Sequence, residues 1–272
     1  MEETAESFVR RTVTRVTGRS SERFEDAIAV ERPLQLRVDG RALAVTLRTP
    51  GHDEELALGF LASEGLVARA ADVTGVTLTA SGCADEPDVA DIALAPGVPM
   101  DWARLERHFA ASAACGLCGR AHLESLRAGL APFAPGPPIA RAALLALPER
   151  LRERQAGFLQ TGGLHAAVWC DGALEPVLLR EDVGRHNAVD KVCGALLARG
   201  ERPAGAGLLW VSGRAGAELV LKAARAGMPV MAAVGAPSSL AVELAEAAGM
   251  TLVGFLREGR MNVYCGVERL GD

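Results

Sequence analysis

The sequence predicts an α/β protein built from two unequal parts. The larger, C-terminal part is predicted to be a three-layer α/β/α domain with a mixed sheet, and the smaller, N-terminal part a mixed domain of α+β type. One observation behind this prediction is the regular alternation of strand-like and helical segments through residues 141–272. The other is a series of hairpin signals in residues 1–110. A chain of 272 residues is long enough for both domains.

Residues 1–110 are expected to contain several strands and two helices. Residues 11–17 alternate in the manner of a strand, and an Asp39-Gly40 turn joins the strand-like segments LQLRV and RALAVTLRT. The next segment, GHDEELALGFLASEGLV, predicts a helix with three acidic residues in its first turn. Two more strands are predicted in VTGVTLT and VADIALA, and Asp101 is placed to cap a second helix.

Residues 111–140 form a predicted connector between the two domains, rich in alanine, glycine and proline. Four prolines in its second half exclude a continuous helix, because proline has no amide hydrogen and clashes with the preceding turn. Long connectors in compact proteins are usually either functional or disordered. This connector carries the CxxC motif discussed below.

Residues 141–272 are predicted to begin with a helix over 141–154, followed by two strands joined at Asp171-Gly172. Three helices and three strands then alternate, and RMNVYCGV closes the alternation as a short strand. A βαβαβ series requires parallel strands with right-handed crossovers. The antiparallel pair at its start makes the sheet mixed.

Composition narrows the class of partner. The net charge is −5, which gives no general reason to bind nucleic acid or an anionic membrane. No segment approaches the ~18 apolar residues of a membrane span, and the N-terminal sequence lacks an apolar signal region. We therefore expect a cytoplasmic protein whose six cysteines stay reduced. Of its 29 basic residues only Lys191 and Lys222 are lysines.

Cys115 and Cys118 lie in CGLCG, the sharpest local motif. A thiolate is a strong nucleophile that can carry sulfur as a persulfide, and a second thiol three residues away can resolve or stabilise it. A structural zinc site needs four ligands, and the chain has no second CxxC or HxxxH. A thioredoxin-type motif would follow a strand at a helix start, whereas this one lies in a predicted loop. Two incidental small apolar residues are the remaining alternative.

The densest polar cluster is EDVGRHNAVDK, residues 181–191, at a predicted strand-to-helix junction. Open α/β sheets bind ligands at the carboxyl ends of their strands, so Asp182, Arg185 and His186 are candidate binding residues. Asp182 and His186 are four residues apart and can share a helix face. The alternative is an aspartate that caps the helix and a histidine that packs in the core.

Two further turns precede predicted helices. VSGRAGAE places Ser212 and Gly213 between a strand and a helix, where backbone N–H groups suit a phosphate. The pattern GxxxxGK[ST] is absent, so this is not a Walker A loop. APSS places Ser238 and Ser239 at the start of the next helix, where either serine could cap it or its N–H groups could hold an anion.

Two more segments end or precede strands of the C-terminal domain. In TGGLH, Gly162 and Gly163 allow a ligand to approach the backbone, and His165 is either a ligand contact or a buried, hydrogen-bonded histidine. The segment FLREGR ends the last parallel strand and is either a phosphate or guanine clamp or a polar hairpin. Its candidate residues are Phe255, Leu256, Arg257, Glu258, Gly259 and Arg260.

Taken together and in this order, these motifs resemble those of the FdhD/NarQ family of formate dehydrogenase accessory sulfurtransferases. The matching segments cover nearly the whole chain: GF…SEGL, CGLCG, TGGLHAA, EDVGRHNAVDKV, SGRAGAE and APSSLAVELAEAAGMTLVGFLREGRMNVY. The resemblance implies a cytidine-deaminase-like C-terminal domain, which agrees with the predicted order of elements. The deaminase zinc signature HxE…PCxxC is missing, so we expect neither deamination nor an intrinsic metal.

The resemblance also implies sulfur delivery. Such proteins receive persulfide sulfur from a cysteine desulfurase and pass it to the molybdenum (or tungsten) bis-pterin guanine dinucleotide cofactor of formate dehydrogenase. Cys115 matches the family's persulfide cysteine, Cys118 its partner, and residues 255–260 its cofactor-binding stretch. A homodimer is implied as well. The other cysteines are expected to be small buried apolar residues: Cys83, Cys170, Cys193 and Cys265.

Two other functions remain open at this point. One is a cofactor chaperone that holds a nucleotide while the cysteines are incidental. The other is a thiol–disulfide oxidoreductase that uses the CxxC motif. The three functions differ in what they predict for the thiol of Cys115: a persulfide, no modification, or a disulfide.

Overall fold

The computed structural model of the protein describes residues 7–83, 86–102, 130–201, 203 and 205–272. These residues form an antiparallel ribbon, a four-stranded sheet, a six-stranded sheet and one short strand pair, with helices between them. The predicted mixed α/β class is confirmed.

The chain begins with a ribbon of two antiparallel strands, β1 (Phe8–Thr17) and β2 (Ser20–Ala29). The strand expected over residues 11–17 lies within β1. The strand β2 is not predicted by the sequence, because SSERFEDAIA carries four charges and does not alternate cleanly. Its pairing depends on contacts across the ribbon, such as the one between a guanidinium nitrogen of Arg15 and a carboxylate oxygen of Glu22 at 3.2 Å. It also depends on the turn, where Gly18 adopts a positive φ.

A four-stranded sheet and one helix follow. The elements are β3 (Arg32–Val38), β4 (Arg41–Arg48), α1 (Asp53–Ser63), β5 (Val73–Thr79) and β6 (Asp88–Leu94). The strand order is β4-β3-β6-β5, with β3 and β6 parallel and the other pairs antiparallel. The predicted Asp39-Gly40 turn is confirmed: both residues have positive φ, as a two-residue hairpin turn of type I′ requires. The helix expected after Asp101 lies outside the described residues.

The C-terminal domain is built on the six-stranded sheet. Its strands are β8 (His165–Cys170), β9 (Pro176–Asp182), β10 (Leu208–Val211), β11 (Val230–Ala233), β12 (Thr251–Arg257) and β13 (Arg260–Cys265). Their order is β13-β12-β11-β10-β8-β9, in which β10, β11 and β12 are parallel and the other pairs antiparallel. The predicted βαβαβ series and the antiparallel pair at its start are confirmed. A short parallel pair, β7 (Ile139–Ala140) with β14 (Leu270–Gly271), lies beside the sheet.

Helices cover both faces of this sheet. They are α2 (Arg141–Arg152), α3 (Ala156–Thr161), α4 (Arg185–Ala198), α5 (Ala217–Arg225) and α6 (Ser239–Ala247). The helices α4, α5 and α6 form one apolar core with the sheet, and α2 forms a second core on the opposite face. The domain therefore has the predicted three layers. Its likeness to cytidine deaminases stays a prediction.

The last part of the predicted connector is described and lies against the C-terminal domain. The amide of Phe133 donates to the carbonyl of Ala248 at 2.9 Å, and the guanidinium of Arg269 donates to the carbonyl of Ala134 at 2.8 Å. The predicted domain boundaries at 1–110, 111–140 and 141–272 stay predictions.

The four-stranded sheet joins the C-terminal domain where α1 crosses α4 at two glycines. A Cβ atom on Gly59 would lie 1.7 Å from the carbonyl oxygen of Asp190, and one on Gly194 would lie 1.8 Å from that of Glu55. Real Cβ atoms do not come so close to a backbone oxygen. The two helices therefore pack backbone to backbone, which only glycine allows at these positions.

A buried ion pair lies beside this crossing. The ammonium of Lys222 on α5 is 2.8 and 2.9 Å from the two carboxylate oxygens of Asp190 on α4, and it donates to the hydroxyl of Ser63 at 2.7 Å. The carboxylate of Glu64 lies 3.6 Å from the same ammonium. Burial raises the pKa of Asp190, and the charge of Lys222 opposes that shift. The ammonium group of Lys222 on α5 thus connects this helix to Ser63 on α1 and to Asp190 on α4.

We predict that Gly59→Ala destabilises the protein by at least about 3 kcal/mol, because the added methyl group requires the two helix backbones to separate. The free energy of unfolding in urea measures this loss. Gly75→Ala on β5 is the matched control: no atom lies within 4 Å of a Cβ there, so its effect should stay near 0.5 kcal/mol or below. Equal stability of the two variants would contradict the close crossing.

Lys222→Met should cost about 3–5 kcal/mol at neutral pH, because it leaves the carboxylate of Asp190 buried without its cation. A buried aspartate with a raised pKa favours the folded state only when protonated. The variant should therefore lose stability as the pH rises above about 4, the usual pKa of an unfolded aspartate.

Thermal unfolding between pH 4 and 8 tests this expectation, with Lys222→Met/Asp190→Asn as the control. The double variant has no buried charge at this point, so its stability should not show the added fall with pH. A single variant whose stability follows that of the wild type across this range would show that Lys222 does not neutralise Asp190.

Candidate functional site

Three glycines lie side by side at one end of the six-stranded sheet: Gly213 and Gly235 follow the ends of β10 and β11, and Gly254 lies within β12. A Cβ atom on Gly235 would lie 3.0 Å from the carbonyl oxygen of Gly213, and one on Gly254 would lie 3.2 Å from that of Gly235. The amide of Gly235 donates to the carbonyl of Gly213 at 2.9 Å. We call Gly213, Gly235 and Gly254 the glycine edge. Gly213 and Gly235 are partly exposed, so a ligand can reach their peptide groups just after β10 and β11. Gly254 is buried, and a Cβ atom there would lie 2.9 Å from Cδ of Pro237 and 3.0 Å from Cε2 of Tyr264.

Three helices begin beside the glycine edge. The N-cap residues of α4 and α5 are Gly184 and Gly216, and neither helix start is capped by a side chain. The helix α6 differs, because the hydroxyl of Ser238 accepts a hydrogen bond from the amide of Ala241 at 3.2 Å. Ser239, the first residue of α6, is exposed. Free N–H groups at helix starts attract anions, so α4 and α5 offer anion-binding groups that α6 partly satisfies itself.

His165, Arg185 and Gly213 meet at this edge. A Cβ atom on Gly213 would lie 3.4 Å from Nδ1 of His165 and 3.7 Å from Cδ of Arg185. Burial lowers the pKa of His165, and the nearby Arg185 and His186 lower it further. This imidazole is therefore neutral at pH 7. Nε of Arg185 is buried and has no hydrogen-bond partner among the described residues.

His186 is paired with a residue that the sequence analysis assigned no role. Its Nε2 lies 2.9 Å from a carboxylate oxygen of Glu218 in the first turn of α5. The hydrogen bond from His186 lowers the pKa of Glu218. Glu218 stands in the motif SGRAGAE, but only the fold shows that its helix start faces that of α4.

Asp182 has a structural role, unlike Arg185 and His186. It is fully buried, and its carboxylate lies 2.7 Å from the ammonium of Lys191. It also accepts hydrogen bonds from the amides of Thr49 and Gly184, at 3.2 and 2.8 Å, and from the side chain of Asn187 at 3.1 Å. Asp182 thus ties the end of β9 to the segment after β4 and shapes the turn that precedes α4.

The turn before β8 lies next to the base of the ribbon. Gly162 ends α3 with a positive φ of 65°, and Gly163 is exposed. A Cβ atom on Gly163 would be 3.5 Å from Cβ of Ala29, the last residue of β2. Ser212 is used within the sheet, since its hydroxyl accepts a hydrogen bond from the amide of Ala166 at 2.9 Å.

The segment at the end of β12 contacts the glycine edge through its backbone. The amide of Phe255 donates to the carbonyl of Gly235 at 3.1 Å, and Phe255 has a positive φ of 52°. The guanidinium carbon of Arg257 lies 5.9 Å from the centre of the Phe255 ring. Leu256 is fully buried in the core beneath α2, whereas the hairpin over 257–260 is exposed. In that hairpin a guanidinium nitrogen of Arg260 lies 3.6 Å from the carboxylate of Glu258.

The cysteines fall into separate groups. Cys115 and Cys118 lie outside the described residues. Burial raises the pKa of Cys170 and of Cys193 to about 12, which makes both thiols poor nucleophiles, and burial also raises the pKa of the half-buried Cys265. The expectation of a buried Cys83 is wrong: it is exposed in the loop between β5 and β6.

Neither a metal site nor a membrane-spanning helix is found in the part of the chain that the structure describes. It contains no group of three or more histidine, cysteine, aspartate or glutamate side chains that could hold a metal ion. Nor is any helix in it both long and apolar enough to cross a membrane.

Comparison with known proteins gives a consistent result. A model of the FdhD/NarQ family matches residues 29–271. The sulfur carrier protein FdhD of Anaeromyxobacter dehalogenans (strain 2CP-C) is 50% identical over 279 residues, which cover 98% of this chain and 95% of the relative. The protein of the same name from Streptomyces coelicolor is 47% identical, over 96% of this chain and 95% of the relative.

A solved structure shows a similar fold. It is described as a candidate formate dehydrogenase accessory protein from Desulfotalea psychrophila, and it matches with a TM-score of 0.77 over 97% of this chain and 100% of that chain. Its sequence identity is 23%, so it supports the fold alone. The family model and the two curated relatives each match most of the sequence, and the chain therefore belongs to the FdhD/NarQ family.

Proposed function

We propose that this protein is a sulfur carrier that supports formate dehydrogenase. The observation that carries the proposal is the match over nearly the whole chain to relatives named sulfur carrier protein FdhD. The CGLCG motif supplies the thiols that such a role needs. The four other cysteines offer no alternative of the same kind, because three have raised pKa values and Cys83 stands without a second cysteine near it in sequence.

The loading step is a transfer between thiols. The thiolate of Cys115 attacks the terminal sulfur of a persulfide on a cysteine desulfurase. A sulfur–sulfur bond forms on Cys115, the sulfur–sulfur bond of the desulfurase breaks, and its thiolate leaves with the electron pair. No external oxidant or reductant is needed.

Delivery as sulfide needs two electrons, and Cys118 is placed in sequence to supply them. Its thiolate attacks the inner sulfur of the Cys115 persulfide, which forms a Cys115–Cys118 disulfide and releases hydrosulfide to the acceptor. A dithiol reductant then restores both thiols. Cys118 therefore acts after loading, not during it.

The proposed acceptor is the molybdenum or tungsten bis-pterin guanine dinucleotide, bound as a substrate. The glycine edge supports this assignment, since Gly213 and Gly235 are partly exposed beside two helix starts that no side chain caps. The buried, unpartnered Nε of Arg185 adds a cationic group. Arg257 and Arg260 would contribute charge from the exposed hairpin, and the ring of Phe255 an aromatic face for guanine.

The role of sulfur carrier also suggests which partners the protein has and where it works. The family resemblance implies a cysteine desulfurase as the sulfur donor and formate dehydrogenase as the recipient. Both exchanges need reduced thiols, as in the cytoplasm. We also propose a homodimer. A chaperone that binds the nucleotide without carrying sulfur, and a thiol–disulfide oxidoreductase, are the competing functions.

We predict that incubation with a cysteine desulfurase and cysteine adds about 32 Da, one sulfur atom, to the protein. The adduct should be removed by reductant and should map to Cys115. Cys115→Ser should lose both the adduct and the activation of formate dehydrogenase, whereas Cys118→Ser should keep the adduct and lose only part of the activation. Intact-mass spectrometry and peptide mapping measure these changes.

Cys83→Ser is the control, because it removes an exposed thiol outside the CGLCG motif. It should leave loading and activation unchanged. Full activation by Cys115→Ser would contradict the persulfide role. Nucleotide binding without any adduct would favour the chaperone. Catalytic turnover of a Cys115–Cys118 disulfide with a dithiol in the absence of any sulfur donor would favour the oxidoreductase.

A second prediction concerns the acceptor site. GDP and GMP, as fragments of the proposed substrate, should bind weakly but measurably by calorimetry. Arg257→Glu/Arg260→Glu should weaken binding by more than the ~1 kcal/mol of a typical surface ion pair, because a phosphate loses two charge-assisted contacts. Persulfide formation on Cys115 should be unchanged.

Arg19→Glu/Arg23→Glu makes the same change of charge at the exposed tip of the ribbon and is the control for long-range electrostatics. It should alter binding little. Equal losses in the two double variants, or no binding of guanine nucleotides by the wild type, would remove the case for placing the acceptor at this edge.

A further inference from the structure

The ribbon of β1 and β2 is an element that the sulfur-transfer steps above do not use. It lies almost entirely before residue 29, where the match to the family model begins. A two-stranded ribbon on its own is marginally stable in water, and it gains stability when a face packs against another layer. What covers each face of the ribbon therefore determines how stable the element is.

The register of the ribbon assigns its side chains to two faces, since residues two apart along a strand share a face. The inner face carries the even-numbered residues of β1 and the odd-numbered residues of β2. A Cβ atom on Gly163 would lie 3.5 Å from Cβ of Ala29 on this face, so the inner face is turned toward the C-terminal domain. The outer face carries the odd-numbered residues of β1 and the even-numbered residues of β2, and it points away from that domain.

The outer face has two apolar cross-strand pairs, Val9 with Ile28 and Val13 with Phe24. Val9 is 37% and Ile28 43% exposed. The ring of Phe24 is half-buried, and the guanidinium carbon of Arg15 lies 4.1 Å from its centre. Exposed apolar side chains grouped on one face are typical of a surface that packs against another protein.

The charged pairs of the outer face are divided by sign between the two strands. Arg11 and Arg15 come from β1, and Asp26 and Glu22 lie opposite them on β2. A guanidinium nitrogen of Arg15 is 3.2 Å from a carboxylate oxygen of Glu22, yet both side chains stay more than half exposed. They can therefore contact charges from outside the ribbon as well. The outer face thus has a positive side and a negative side.

This pattern is complementary to itself about one kind of two-fold axis. When the axis runs parallel to the strands between two outer faces, β1 of one copy faces β2 of the other at the same height. Arginines then lie opposite carboxylates, and apolar pairs lie opposite apolar pairs. A two-fold axis across the strands would place β1 on β1 and so bring arginines together wherever the apolar pairs match.

We propose that the outer face of the ribbon is a contact surface between two copies of this chain, packed face to face about a two-fold axis parallel to the strands. The four strands then form two layers, with the apolar pairs of both copies between them. This inference rests on the proposed function for the homodimer alone, to which it assigns a surface. It does not involve the carriage of sulfur.

The size of the outer face determines how strong this contact should be. Each strand has ten residues, so the face is about 33 Å long and about 10 Å wide. That is small beside the ~800 Å² that each partner buries in a standard interface. We therefore expect a reversible dimer whose dissociation constant is micromolar.

Sedimentation velocity between about 1 and 200 μM protein tests the proposal. The wild type should change from monomer to dimer across this range. Val9→Asp should raise the dissociation constant at least about tenfold, because the contact would bury an unpaired carboxylate. Val16→Asp is the matched control: it makes the same change on the same strand, but on the inner face, where Val16 is 71% exposed near the tip. It should follow the wild type.

Two variants with outer faces of a single sign test the pairing of charges. Arg11→Glu/Arg15→Glu makes the face acidic, and Glu22→Arg/Asp26→Arg makes it basic. Each variant alone should stay monomeric across the range, because like charges would face each other. An equimolar mixture of the two should form a heterodimer, in which the acidic face meets the basic face. Such recovery would also show that both variants keep the ribbon folded.

Equal dissociation constants for Val9→Asp and the wild type would overturn the proposal and leave the homodimer to another surface. A mixture of the two charge variants that stays monomeric would overturn the facing of the strands on which the proposal depends. A wild type that is monomeric at every concentration would overturn both the proposal and the homodimer, and would assign the outer face to a different protein. Persulfide loading on Cys115 should be unchanged in all these variants, so it tests the sulfur-carrier function separately.

Discussion

The close crossing of α1 and α4 is the contact on which the rest of the structure depends. Gly59 and Gly194 let the two helix backbones touch, and the N-terminal sheet is thereby held against the C-terminal domain. The contact also brings the segment after β4 to the turn before α4. There the amide of Thr49 donates to Asp182, and its carbonyl accepts from Lys191 at 2.9 Å. The turn that presents the candidate site is completed by a residue far away in sequence.

The segment EDVGRHNAVDK therefore contains both buried residues that stabilise the fold and residues of the candidate site. Asp182, Asp190 and Lys191 are buried and connect α4 to neighbouring elements, while Arg185 contacts the glycine edge and His186 pairs with Glu218. Both lysines of this arginine-rich chain stabilise the fold, since each pairs with a buried aspartate of this segment. A compact ammonium can satisfy several oxygens around one point, which a planar guanidinium cannot do in the same space.

Most elements were predictable, because strand alternation, the Asp-Gly turn and helix periodicity are local signals. The ribbon strand β2 was missed because its stability comes from pairing rather than from its own pattern. The glycine edge and Glu218 were also missed, since both depend on which strands and helix starts become neighbours in the fold. The motif at Asp182 was recognised as a site, but its spacing could not separate the aspartate that shapes the turn from the histidine that faces outward.

The central claim is that the glycine edge and the two helix starts beside it bind the guanine nucleotide of the sulfur acceptor. Amide hydrogen exchange with and without saturating GDP tests it most directly. The account predicts slower exchange at residues 184–187, 213–218 and 235–239, with the buried strands unchanged. Protection confined to other surfaces, such as the cavity lined by Val38, Leu94 and Trp102, would contradict it.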